Sequence, residues 1–320
     1  MKKEQGTYYY SPSDLTLYMG SPFASWMARY AIERPDDLPD KDEDDALMGL
    51  LQQRGYAHED ALEAQFVSEG RSLVKIEGGS QEDKWRSTVE AMRDGVEVIV
   101  QGRLEQPPFA GFSDFLIKTP GSSDLGDYHY EVWDTKLSSK LKPSFVIQLC
   151  CYAEMLESIQ GVRPSNITVA LGNGEFSILR TNDYFYYYQN LKQTFMEEQG
   201  RFDADLMPDP ADSKNLGAWS GFAEKLLIDR DHLFQVATIT RGQIKKLNVA
   251  GIDTVEQLVE VNQPSVPGIA PSIYQRLRAQ ASIQSASRGL DVPLFEILSS
   301  EAGGRQGLAL LPAHSNMDVF

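Results

Sequence analysis

The sequence predicts an α/β protein in which a mixed sheet is flanked by helices, followed by a small all-helical domain. Three observations carry that prediction. Alternating apolar residues run through VEVIVQGRLE (96–105), GFSDFLIK (111–118) and YHYEVWDTKL (128–137), the period-two signature of strands. Segments with apolar residues at helical spacing precede and follow these runs, as expected of a sheet covered by helices. Past residue 205 the strand signals stop, and short helices with glycine turns follow a Pro-, Asp- and Gly-rich stretch.

Taken in order, DALMGLLQQRGYAHEDALEAQF spaces Leu47, Leu50, Leu51, Leu62 and Phe66 at helical intervals, offers Asp44 or Asp45 as N-cap, and carries His58. SLVKIE (72–77) reads as a short strand, and QEDKWRSTVEAMRDG as a helix closed by Gly95. The three long strands follow, the last two joined by the turn-forming stretch TPGSSDLGD. LKPSFVIQLCCYAEMLESI is a helix with Pro143 in its first turn. NITVALG and EFSILRT flank Gly172-Asn173-Gly174 as a hairpin, and DYFYYYQNLKQTFMEEQGRF returns to helix. The predicted domains are 1–205, a connector over 206–230, a helical domain over 231–300, and a tail over 301–320.

Composition sets the context. The 320 residues are 42% hydrophobic, enough for a sizeable core, and the two cysteines, Cys150 and Cys151, are adjacent, so they form neither an ordinary disulfide nor a four-thiolate metal site. No apolar run reaches membrane-spanning length and the N-terminal stretch lacks a signal-peptide core, so a soluble, cytoplasmic protein with no membrane partner is expected. The formal charge of −16 argues at first against nucleic acid. Much of the excess, however, lies in residues 33–45, with eight acidic and two basic residues, expected to be a mobile, solvated loop. Residues 241–288 carry six basic residues (Arg241, Lys245, Lys246, Arg276, Arg278, Arg288) against three acidic ones, so a basic surface survives locally.

Charge placement within the strands is the chemical signal. Asp134 and Lys136 in EVWDTKL share one face of their strand, and Asp114 sits mid-strand in GFSDFLIK, on the neighbouring strand. Carboxylates so juxtaposed repel unless a cation lies between them, and hard oxygen ligands suit Mg²⁺ or Mn²⁺. His58 is a candidate third ligand. Each feature alone has a plainer reading: a surface ion pair, an edge aspartate, a polar helix histidine.

In combination, GFSDFLIK, EVWDTKL and QLCCY resemble the PD-(D/E)xK nuclease superfamily, specifically its RecB-like branch, which includes the CRISPR adaptation nucleases. In that branch a helix His, a strand Asp, a D/E-x-K strand and a Gln-x-x-x-Tyr helix recur in this order, matched here by His58, Asp114, Asp134-Thr135-Lys136, and Gln148 with Tyr152. SPSDL (11–15) also looks like the family's start, and the resemblance spans roughly residues 8–205. It implies a restriction-endonuclease-like core and a metal-dependent deoxyribonuclease acting on single-stranded or free-ended DNA in repair, recombination or defence. His58, Asp114 and Asp134 would hold Mg²⁺ or Mn²⁺, and Lys136 would orient the attacking water or stabilise the developing charge. Gln148 and Tyr152 would contact the DNA backbone or brace the site, or simply pack on the sheet, while Lys140 and Lys142 would meet phosphates. Activity would rise from mildly acidic to mildly alkaline pH, because a ligating His58 must be neutral. Several relatives carry an iron-sulfur cluster on four cysteines; Cys150 and Cys151 lie mid-helix, where those ligands do not occur, so no cluster is expected.

LNVAGIDTVEQL and VPGIAPSIYQRL resemble helix-hairpin-helix modules, which implies phosphate contacts at the turns of Gly251 and Gly268, supported by Arg241, Lys245, Lys246, Arg276 and Arg278. Packing motifs with glycine caps are the alternative. The closing GLALLPAHSNMDVF ends on Val319 and Phe320 as a strand begins, which suggests a further domain, with a fused or separate exonuclease or helicase as partner; a frayed terminus is the plainer reading. Against the nuclease stands a catalytically inactive DNA-binding or scaffold module of a larger DNA-processing protein.

Overall fold

The computed structural model describes residues 1–43 and 46–296. The N-cap candidates Asp44 and Asp45 and the segment from residue 297, with Val319 and Phe320, lie outside the described residues. The chain divides into two compact units, Met1–Leu226 and Leu227–Phe320.

The first unit opens with a hairpin of β1 (Lys2–Glu4) and β2 (Thr7–Tyr9), then α1 (Pro12–Gly20) and α2 (Pro22–Glu33). Both helices are additions to the sequence-based reading. Ser11 and Asp14 form a capping box at the start of α1, with Pro12 in the first turn. Next come α3 (Ala46–Ser68), β3 (Leu73–Lys75), α4 (Gln81–Arg93), β4 (Val98–Gln106), β5 (Phe109–Ser123) and β6 (Gly126–Lys136). They are followed by α5 (Pro143–Gln160), β7 (Asn166–Leu171), β8 (Phe176–Arg180) and α6 (Asn182–Gly200), and then by α7 (Ser220–Asp229), whose last three residues fall in the second unit. Strands β3 to β8 lie in sequence order in one mixed sheet, parallel at β3–β4 and β6–β7 and antiparallel elsewhere.

Helices cover both faces of this sheet. On one face Leu149, Cys150 and Leu156 of α5 pack with Leu116, Val132 and Val169, joined by Met92 of α4, Leu15 of α1 and Phe195 of α6. On the other face Leu62 and Phe66 of α3 pack with Val98, Val100, Phe115, Ile117 and Ala170. Facing along β4 changes midway. Ile99 and Leu104 are five residues apart, yet both point into the α5 core, which strict alternation forbids. The change falls at Gln101, whose φ is +53°. Pairing runs from Val100–Phe115 to Gly102–Ser113 and skips the rung between Gln101 and Asp114.

Three stretches differ from expectation. TPGSSDLGD is mostly strand, since β5 runs to Ser123 and β6 starts at Gly126, and its turn formers produce the irregular pairing between Pro120 and Ser123. The acidic segment is partly pinned: Asp42 accepts from the Ser220 and Gly221 backbone N–H groups (2.7 and 2.9 Å), capping the start of α7. Residues 206–226 of the expected connector pack within the first unit, where Trp219 and Ala223 meet Phe23 and Met27 of α2.

The second unit contains α8 (Arg241–Val249), α9 (Val255–Glu260) and α10 (Pro271–Ala286) around a core of Leu233, Leu247, Leu258, Tyr274 and Leu277. Thr240 with Gln243, and Thr254 with Gln257, close capping boxes at the starts of α8 and α9. Gly251 and Gly268 both adopt φ of +79°, the left-handed conformation the turns require. Among the described residues no helix is long and apolar enough to cross a membrane.

Candidate active site

The sheet opens at one point between β5 and β6. Their ladder reaches Phe115–Trp133 and stops there, so the next rung, Asp114 opposite Asp134, is unpaired. Asp114 compensates with its side chain: Oδ2 accepts from the Thr135 backbone N–H at 2.8 Å and from Thr135 Oγ1 at 2.9 Å. A carboxylate thus does the work of a backbone carbonyl, and the two strands separate around it.

Asp134 and Lys136 lie on the α5 face, as does Val132 two residues before. Asp134 is only 1% exposed; its Oδ2 pairs with the Lys136 ammonium, and Oδ1 accepts from Gln148 Nε2 of α5 at 3.4 Å. Burial first, then the Asp114 charge, pushes its pKa up to about 7, and Lys136 offsets only part of that rise. Tyr152, one helical turn beyond Gln148, donates to the Phe112 carbonyl at 2.6 Å, so its hydroxyl braces β5. Gly111 permits this approach, because a Cβ there would lie 2.9 Å from the Tyr152 hydroxyl and 3.0 Å from Pro12.

His58 comes in from α3, on the opposite face. Its Nε2 is 3.3 Å from the carbonyl of Ala170, the β7 residue paired with Thr135. A carbonyl only accepts, so this contact selects the tautomer with the proton on Nε2 and leaves Nδ1 as the lone-pair nitrogen. The strands therefore bring Asp134, Lys136 and Gln148 together with Asp114 at the neighbouring rung, while His58 stands on the α3 side, at the β7 residue paired with Thr135. Among the described residues no group of three or more His, Cys, Asp or Glu side chains is gathered as a metal cage.

Two further residues belong to this neighbourhood. Glu59, next to His58, accepts a hydrogen bond from the Gln101 side chain. Burial raises its pKa against the lowering effect of that bond, and the Asp114 charge adds to the rise. Gln101 is the residue of positive φ beside the skipped rung. A strained non-glycine residue holding a carboxylate beside Asp114 is a functional hint. Glu59 was within reach of the sequence, one position from His58; nothing in the sequence announces the backbone of Gln101.

The loop after Lys136 carries Lys140 and Lys142, both exposed. Lys136 and Lys142 approach the Phe145 ring at 5.5 and 5.6 Å. Cys150 and Cys151 are buried in α5, and burial pushes both thiols up to about 12. In the second unit Lys245 and Arg276 are exposed, Arg241 is half-buried, and the Gly251 turn is open, with nothing within 4 Å of a Cβ placed there. Lys246 and Arg278 are engaged internally. Lys246 Nζ donates to the Gly268 carbonyl at 2.6 Å, and Arg278 donates to the Leu258 and Val259 carbonyls at 3.3 and 3.2 Å near the end of α9. Arg278→Ala is therefore expected to destabilise the protein by about 1 to 3 kcal/mol, against a negligible change for Lys245→Ala; urea unfolding compares them, and equal stabilities would contradict the capping role.

The buried carboxylate also predicts a pH signature. Its folded pKa of about 7 lies above the ordinary 3.8, so the stabilisation from protonated Asp134 is full below the lower value and is lost as pH rises through the upper one. Asp134→Asn does not titrate. In EDTA, its Tm relative to wild type should climb as pH rises through about 7 and level off in mild alkali; a pH-independent difference would contradict this account.

A scan against protein-family models finds no match for the chain, and a search of curated proteins finds no significantly similar sequence.

Proposed function

We propose that the chain is a metal-dependent deoxyribonuclease of the PD-(D/E)xK, RecB-like type, which hydrolyses phosphodiester bonds of single-stranded or free-ended DNA. The observation that carries this reading is the unpaired rung between β5 and β6, where Asp114 and Asp134 meet beside Lys136.

The donor set suits a hard divalent cation. Two carboxylates from adjacent strands leave excess negative charge in a buried place, and the Lys136 ammonium already stands against one of them as a cation would. Mg²⁺ is commonly held by one or two carboxylates, with waters and substrate phosphate completing its shell, so a cage of three protein ligands is not required. Asp114 and Asp134 would hold it, with Glu59 and His58 nearby on α3. When bound, the ion would neutralise the scissile phosphate and lower the pKa of a coordinated water.

The chain's own groups do the rest. Lys136 is about a quarter exposed, so its ammonium can reach from Asp134 toward solvent and donate to the attacking water or to a non-bridging phosphate oxygen. Gln148 keeps Asp134 oriented, and Tyr152 fixes the β5 backbone two residues before Asp114.

The second reading, an inactive DNA-binding or scaffold module, is favoured by the internal pairing of Asp134 with Lys136 and by the open Gly251 turn. One experiment separates them: turnover of labelled single-stranded and duplex oligonucleotides with Mg²⁺ or Mn²⁺, against EDTA. The nuclease cleaves only with metal and loses cleavage in Asp134→Ala; the scaffold binds DNA in a salt-sensitive way without turnover.

A further inference from the structure

We infer that Arg103 and Lys84, gathered around the Phe112 ring, form a phosphate subsite that holds the nucleic-acid strand beside the candidate active site. The inference rests on the proposed function for its ligand but on separate residues for its geometry.

Arg103 lies on β4 and pairs in the ladder with Phe112 of β5, two rungs from the Gln101–Asp114 position. At a rise of about 3.3 Å per residue, two residues along β5 are roughly 7 Å, on the order of two nucleotide rises in a strand. Arg103 is 8% exposed. Its guanidinium lies 5.3 Å from the Phe112 ring centroid, and the Lys84 ammonium of α4 approaches the same ring at 5.3 Å. Two cations thus share one aromatic ring.

Their charge is poorly answered from within. Arg103 reaches Glu105 at 3.5 Å, the outer limit of a hydrogen bond, and its Nε is buried without an acceptor. No carboxylate pairs with Lys84 among the described residues, and none of its neighbours at the ring supplies one. A buried guanidinium with an orphan N–H is costly unless a ligand accepts from it, and a planar fork of donors with an ammonium on the same aromatic ring is chemistry suited to a phosphate. The fold holds Arg103 in place, since its backbone N–H donates to Thr88 Oγ1 of α4 at 2.9 Å, beyond the point where β3 stops pairing with β4. Lys84 lies one helical turn earlier on α4, so both cations ride on one rigid joint. Phe112 is also fixed, its carbonyl accepting from Tyr152. The joint links the subsite to the residues around Asp114.

The test is metal-free binding by the full chain. Fluorescein-labelled oligothymidylate is titrated in EDTA against wild type, Lys84→Ala, Arg103→Lys and, as control, Arg86→Ala, an exposed arginine on the same helix. Lys84→Ala and Arg103→Lys are expected to weaken binding by about 5- to 10-fold, and Lys84→Ala to reduce the log–log salt slope by about one, with the control within about twofold of wild type. Unchanged affinity and slope in both variants overturn the subsite, even if inorganic phosphate alone is found there. Should Arg103→Lys fail to fold, Lys84→Ala decides. Cleavage with Mg²⁺ is measured on the same preparations: wild type that binds through these residues but never cleaves refutes the nuclease and leaves the subsite standing. Wild type that cleaves with both variants binding normally does the reverse.

Discussion

Lys136→Ala is expected to lower Mg²⁺-dependent DNA cleavage by roughly 100-fold or more, the usual cost of removing a group that stabilises charge developing in the transition state. The loss should fall on kcat, with DNA affinity nearly unchanged, because Lys136 is one cation among several basic residues near the site. The variant should bind Mn²⁺ at least as tightly as wild type. Lys136 would compete with the ion for Asp134, and its removal leaves the buried carboxylate without its resident countercharge. This combination of slower chemistry and undiminished metal binding is not what a merely structural ion pair would produce. Equal single-turnover rates in wild type and variant would remove Lys136 from the mechanism.

The second large effect is on stability. Gly172, in the turn between β7 and β8, donates its N–H to the Ser138 carbonyl at 3.1 Å. A Cβ at this position would lie 2.3 Å from the Leu137 carbonyl oxygen and 2.7 Å from its carbon. Those are backbone atoms of the residue directly after Lys136, so no side chain can swing aside to relieve the clash. Gly172→Ala is expected to cost about 2 to 3 kcal/mol and to lower kcat in the folded fraction, because the displaced loop carries the end of β6 with it. Gly174→Ala provides the contrast. Its site is open but has φ of +83°, so it should cost only about 1 kcal/mol and leave kcat alone. Urea unfolding and single-turnover cleavage measure both; a Gly172→Ala protein as stable as wild type would contradict the close approach.

Much of the candidate site was legible before the fold was known. Alternation over 96–137 gives the antiparallel β4–β5–β6 meander, and period two places Asp134 and Lys136 on one face. Helical spacing puts Gln148 and Tyr152 on one side of α5. The side on which His58 stands was not legible, because a helix can cover either face of a sheet and the sequence does not say which. Helices α1 and α2 were missed for a related reason. Their buried residues include Asp14, Ser25 and Arg29 beside Leu15, Phe23 and Met27, so no clean apolar stripe marks them, although the capping box at Ser11 was there to be read. Turn formers in TPGSSDLGD mark the hairpin between β5 and β6 but not its tight turn, since the strands absorb most of them as an irregular rung and reverse within Asp124 and Leu125. Gln101 has no sequence signal at all, since its positive φ and the bond from its side chain to Glu59 exist only in the fold.

The proposed nuclease requires a cation site at the open rung of β5 and β6, built on Asp114 and Asp134. Electron paramagnetic resonance titration of Mn²⁺ tests it most directly, comparing wild type with Asp114→Asn and Asp134→Asn in mild alkali, where Asp134 is ionised. Saturable binding to wild type, weakened at least about tenfold in each variant whose fold is retained, is the predicted result. Indistinguishable Mn²⁺ binding by all three proteins would contradict it.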